Sequence, residues 1–123
     1  MAKFYKNFET NKIFCSIGSN LDLSNINIEE IKAGSTDAAL EKHVPVVKEE
    51  DGKVLVKVGS IDHPMESNHY IEWIAVVTDR GFQVRYLKPG QVPGCLFLLD
   101  PSEIVLEVYA YCNLHGLWKS KSE

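Results

Sequence analysis

At 123 residues, with 45% hydrophobic and 24% charged side chains, the chain has the size of one domain and the composition of an ordinary globular protein, which excludes wholesale disorder. A formal net charge of -4 gives no overall attraction to nucleic acid or to an anionic membrane, and neither is an expected partner. No apolar run approaches the roughly 20 residues that span a bilayer, the start of the chain lacks a signal-peptide core, and three widely spaced cysteines argue against a disulfide framework, so a cytoplasmic protein is expected.

Residues 17 to 37 are rich in Ser, Asn, Gly and Asp and show no sustained helix or strand period. A small, irregular N-terminal lobe is therefore expected over residues 1–36, joined through Gly34-Ser35-Thr36-Asp37 to a main domain over residues 37–123. Asp37 is expected to cap a short helical turn through Ala38, Ala39 and Leu40 that presents Glu41, Lys42 and His43. From His43 onward the pattern is β. His43 to Lys48 is Val-rich, Glu50-Asp51-Gly52 is a turn signal, and Val54, Val56 and Val58 alternate with Leu55 and Lys57. Residues 69 to 78 are aromatic and β-branched, Asp79-Arg80-Gly81 reads as a hairpin turn into Phe82 to Leu87, and Lys88-Pro89-Gly90 breaks the run. Cys95 to Leu99 and Ile104 to Tyr111 complete six or seven strands, which predicts an all-β, antiparallel sandwich.

All four histidines fall in three short motifs beside these strands: Glu41-Lys42-His43, His63-Pro64-Met65-Glu66-Ser67-Asn68-His69, and Cys112-Asn113-Leu114-His115-Gly116. Neutral imidazole and thiolate are the side chains that suit borderline transition metals, and loops held by a rigid sandwich are a usual place for such ligands. Mg and Ca prefer oxygen, and a structural Zn site takes four ligands with more Cys. Five N and S donors, from His43, His63, His69, Cys112 and His115, would leave one octahedral position open, which suits redox-active iron. A copper site with His, Cys and His on a β-sandwich is the rival, although no Met follows His115 closely and Met65 is the only nearby candidate. Taken alone, Glu41-Lys42 reads as readily as a solvated charged face as it does a functional pair.

The segments EKHVPV, GSIDHPMESNHYIEWI, LKPGQVPG and YCNLHGLW, in this order over roughly residues 35 to 119, resemble the iron-binding domain of the desulfoferrodoxin and superoxide reductase family. The resemblance implies an immunoglobulin-like sandwich and one iron ion (Fe2+/Fe3+) per chain, held by four equatorial histidines, His43, His63, His69 and His115, and by Cys112 as the axial thiolate. It also implies reduction of superoxide to hydrogen peroxide, with electrons supplied by rubredoxin or a similar small carrier. In the family Glu41 and Lys42 would sit at the open face, Lys42 attracting anionic superoxide and helping to deliver a proton, Glu41 helping to displace product. Two-centre members hold a second iron with a Cys-x-x-Cys pair and a later Cys-Cys pair. Here those places resemble Asn7-Phe8-Glu9-Thr10 and Ser24-Asn25, and Cys15 is the only thiol nearby, so residues 1–36 are expected to be a degenerate desulforedoxin-like lobe without metal. A homodimer is the expected assembly. The alternative from another class is a non-catalytic electron carrier on the same sandwich, and a third reading is a binding module with structural zinc.

Overall fold

The computed structural model describes residues 2–16 and 27–121 and divides into two compact units, Met1–Lys32 and Ala33–Glu123. Among the described residues no helix is long and apolar enough to cross a membrane.

The first unit holds three short strands, β1 (Phe4–Asn7), β2 (Lys12–Cys15) and β3 (Ile28–Ile31), paired antiparallel in the order β2-β1-β3. Tyr5 lies opposite Phe14 across β1 and β2, and their rings stack with centroids 5.6 Å apart, the kind of cross-strand pair that stabilises a small sheet. The Asn7 side-chain oxygen accepts from the amides of Glu9 (2.9 Å) and Thr10 (3.3 Å), and Asn11 takes the left-handed conformation at φ 60, so the β1–β2 hairpin is closed by Asn chemistry. Asn7-Phe8-Glu9-Thr10 is thus a hairpin turn, whereas Ser24-Asn25 lie outside the described residues. Where an irregular lobe is expected, the described residues form a sheet. Strands of four residues are too short to show a period.

The second unit holds one helical turn, α1 (Leu40–His43), and seven strands: β4 (Pro45–Glu50), β5 (Lys53–Val58), β6 (Ile71–Thr78), β7 (Gly81–Tyr86), β8 (Gly94–Leu98), β9 (Val105–Cys112) and β10 (Gly116–Lys119). They form two antiparallel sheets, β10-β9-β6-β7 and β4-β5-β8, in the immunoglobulin-like sandwich expected from the resemblance. Alternation in β5 sends Val54, Val56 and Val58 inward and leaves Lys53, Leu55 and Lys57 exposed. These valines and Phe97 of β8 form one core with Ile71, Ile74 and Val76 of β6 and Val108, Ala110 and Cys112 of β9. Burial of each such aliphatic side chain contributes about 1.5 to 3 kcal/mol. The β4–β5 turn is the expected one, with Asp51 at φ 49 and Gly52 at φ 77, the two positive φ values of a tight hairpin.

One local expectation is corrected. Asp37 does not cap the helical turn, which starts at Leu40 after an N-cap of Ala39 that carries no side-chain cap bond. The Ala39 carbonyl takes the bonds instead, from the Lys42 amide (3.3 Å) and the His43 ring (2.7 Å). Lys119 ends strand β10 and pairs with Glu107 at 3.4 Å, with Leu117 and Trp118 buried beside it. The segment before α1 also runs with this strand: the Gly34 amide donates to the Leu117 carbonyl at 2.8 Å, and the Thr36 hydroxyl donates to the His115 carbonyl.

Candidate metal centre

Three connections at one end of the sandwich carry the predicted donors. His43 ends α1, His63 and His69 lie between β5 and β6, and Cys112 and His115 flank the β9–β10 turn. That turn is a hairpin in which Cys112 pairs with Gly116, and Gly116 takes φ 81, a conformation that favours glycine. Cys112 is therefore the last residue of β9, and His115 the last residue of a three-residue hairpin loop.

The ligand atoms of His43, His69, Cys112 and His115 all lie within 4.8 Å of one another. His63 joins them through His43, the two Nε2 atoms being 3.2 Å apart. His43 Nε2 is also 3.1 Å from His115 Nδ1, and Cys112 Sγ is 3.9 Å from that same nitrogen. All five predicted donors are thus brought together.

The ring tautomers follow from the outer contacts. His43 Nδ1 donates to the Ala39 carbonyl at 2.7 Å and His63 Nδ1 to the Pro64 carbonyl at 2.7 Å. In the neutral ring the proton is then on Nδ1, and the Nε2 lone pairs of both residues face the cluster. Two lone-pair nitrogens 3.2 Å apart cannot bond to each other. His69 Nε2 is buried and has no hydrogen-bond partner. Converging, unprotonated ring nitrogens beside a buried sulfur are what a soft transition metal requires, so the residues fit a bound ion.

Electrostatics keep the donors ready. Burial, before all else, and then the neighbouring imidazoles lower the pKa of His43 and His69 and bring that of His63 to about 4. At neutral pH His43, His63 and His69 are neutral and available. Burial pushes the Cys112 thiol up, while the amides of His115 and Leu114 donate to its sulfur and oppose that rise. The positive charge of Lys42 acts on His69, and the negative charge of Glu41 acts on His43, so both exposed side chains reach the centre electrostatically.

One neighbour escapes a reading of the sequence. The Asn113 side-chain oxygen accepts from the Tyr70 amide at 3.0 Å and its nitrogen donates to the Asn68 carbonyl at 3.1 Å, which ties the Cys112 hairpin to both residues flanking His69. Its position inside the Cys-x-x-His motif was the available signal. Trp118 packs tilted against His43 with centroids 4.9 Å apart and donates its indole N–H to the His115 carbonyl at 3.1 Å. Among the described residues this is the cluster of His, Cys, Asp and Glu that could hold an ion; Cys15 is part-buried, with its thiol pushed up by burial.

Comparison with known proteins gives the following. A family model described as Desulfoferrodoxin matches residues 35–121. The chain is 43% identical over 98 residues to a desulfoferrodoxin of Desulfarculus baarsii, covering 80% of this chain and 76% of the other. It is 34% identical over 110 residues to a superoxide reductase of Pyrococcus horikoshii, covering 76% of this chain and 94% of the other. Among solved structures, the superoxide reductase from Treponema pallidum superposes with a TM-score of 0.82 at 36% identity, covering 98% of this chain and 99% of that one. A one-iron superoxide reductase from Giardia intestinalis superposes with a TM-score of 0.57 at 32% identity, covering 68% of this chain and 98% of that one.

Proposed function

Because the chain belongs to the desulfoferrodoxin family, we propose that it is a superoxide reductase with a single iron centre. The observation that carries this reading is the convergence of unprotonated ring nitrogens on a buried cysteine sulfur, with an exposed lysine acting on the same centre. One iron ion per chain, held by His43, His63, His69, His115 and Cys112, supplies when bound the single electron that, with two protons, converts superoxide to hydrogen peroxide.

The chain's own residues do the remaining work. Ala39 and Pro64 fix the His43 and His63 tautomers through their carbonyls, so no rearrangement of protons precedes ligation. The Leu114 and His115 amides donate to the Cys112 sulfur and offset part of the burial that raises its pKa. Lys42, exposed and positive, attracts a small anion and offers a proton near where product charge develops. Glu41, exposed beside it, opposes retention of an anionic product. The N-terminal lobe serves no redox role in this reading, so electrons come from a separate carrier such as rubredoxin. A homodimer is the proposed assembly, supported by β7, a sheet-edge strand that exposes Phe82, Val84 and Tyr86.

The test is metal analysis of the purified protein, followed by mixing the ferrous form with superoxide. One iron per chain and accelerated loss of superoxide are expected. A colourless zinc protein, a blue copper protein, or an iron protein that leaves superoxide to decay at its spontaneous rate would overturn the reading, and the last would favour an electron carrier.

A further inference from the structure

Resting on the reductase reading, we propose that Gly59, Ser60 and Ile61 of the β5–β6 loop are positioning residues for the Glu41–Lys42 pair. The turn α1 is only four residues long and carries no side-chain cap, and a single helical turn does not hold itself in water. Its place must come from contacts outside it. The Ile61 amide donates to the Glu41 carbonyl at 3.0 Å, and the Ser60 hydroxyl donates to the same oxygen at 3.3 Å. Gly59 is buried against the same backbone. A Cβ there would stand 2.3 Å from the Glu41 carbonyl oxygen and 2.8 Å from the Lys42 carbonyl carbon, separations that side chains do not adopt.

The loop is itself anchored. The His63 amide donates back to the Val58 carbonyl at 3.0 Å, and Lys57 pairs with Asp62 at 3.1 Å. The loop therefore starts on a core strand, grips the backbone beneath the exposed pair, and ends at His63. Every one of its contacts with α1 named here is to the backbone of Glu41 or Lys42, so its effect passes to those side chains and not through a ring nitrogen. Adding one methyl group at Gly59 presses on the backbone that carries Glu41 and Lys42.

The experiment compares Gly59→Ala, Ser60→Ala, Ser60→Thr, Lys42→Ala and the Gly59→Ala/Lys42→Ala double variant as iron-loaded proteins. Amide exchange at Ile61 is followed by mass spectrometry, alongside iron content and the bimolecular rate with superoxide at several ionic strengths. Gly59→Ala is expected to keep one iron, to speed exchange at Ile61, and to lose about tenfold in rate together with the salt dependence that a steering charge imposes. Ser60→Ala shows a smaller loss of the same kind, and Ser60→Thr restores it. In the Lys42→Ala background Gly59→Ala has no further effect on rate. Full additivity with Lys42→Ala, unchanged exchange at Ile61, or loss of iron from Gly59→Ala would each overturn the proposal. Ser60→Ala carries the test if Gly59→Ala does not fold. If the unaltered protein fails to consume superoxide, the reductase reading fails, and the exchange data still report whether the loop holds α1.

Discussion

Replacing Asn113 with alanine should weaken metal binding as well as the fold. The substitution removes two hydrogen bonds, one to the part-buried Tyr70 amide at 3.0 Å and one to the exposed Asn68 carbonyl at 3.1 Å. A net hydrogen bond contributes about 1 kcal/mol, and a buried amide left without its acceptor adds about 1 to 3 kcal/mol. The exposed carbonyl regains water, so the cost is about 2 kcal/mol, most of it at Tyr70. Tyr70 adjoins His69, one of the residues whose ligand atoms converge. Loosening this tie costs preorganisation of one ligand against the Cys112 hairpin. At 1.4 kcal/mol per tenfold, 2 kcal/mol is about a 30-fold loss of metal affinity, within the range expected of an outer hydrogen bond to a ligand. Competitive titration with a chelator, beside thermal unfolding of the metal-free protein, measures both. If Asn113→Ala lowers stability and leaves metal affinity unchanged, Asn113 is a general clamp and the reasoning is wrong.

The remaining predictions follow from single contacts. In the metal-free protein His63 has a pKa of about 4 against an ordinary 6.5, so the unfolded state binds more protons between those values; stability is full above 6.5 and falls with pH down to about 4, by up to about 3 kcal/mol, as denaturant titration at several pH values would show. No change in denaturation midpoint across that window would contradict it. Gly94→Ala places a Cβ 2.5 Å from the Val56 carbonyl and should lower stability by about 2 kcal/mol or more, whereas an unchanged midpoint would mean that β8 shifts freely against β5. Burial pushes the Cys95 thiol up to about 11, so iodoacetamide at pH 8 should label it only after unfolding; rapid labelling of the native protein would refute this. Cys15→Ser should leave the visible absorption unaltered, and loss of a thiolate band would make Cys15 a ligand.

The sandwich was legible wherever a strand had one buried face. Val54, Val56 and Val58 announce β5 by alternation, and Asp51-Gly52 announces its turn by backbone chemistry. β10 was not legible, because Gly116–Lys119 is four residues long, buries two adjacent positions and shows no alternation. The N-terminal strands share that shortness. That these side chains converge was legible from residue type and motif placement, since imidazole and thiolate beside strand ends have few other uses. What surrounds them was not. Asn113 reaches Tyr70 and Asn68 over separations of 43 and 45 residues, and the Ser60 and Ile61 bonds to Glu41 join segments 19 and 20 positions apart, contacts that leave no periodic trace. Likewise, nothing local marks Gly59; its need for a missing side chain comes from backbone that only the fold brings near.

The central claim, that this His and Cys cluster supports one-electron reduction of superoxide, is tested most directly by stoichiometry. Ferrous protein receives measured pulses of superoxide while peroxide, oxygen and oxidised iron are counted. One peroxide and one oxidised iron are expected for each superoxide consumed, with no oxygen. Oxygen formed together with peroxide, or iron left ferrous after superoxide has gone, would contradict it.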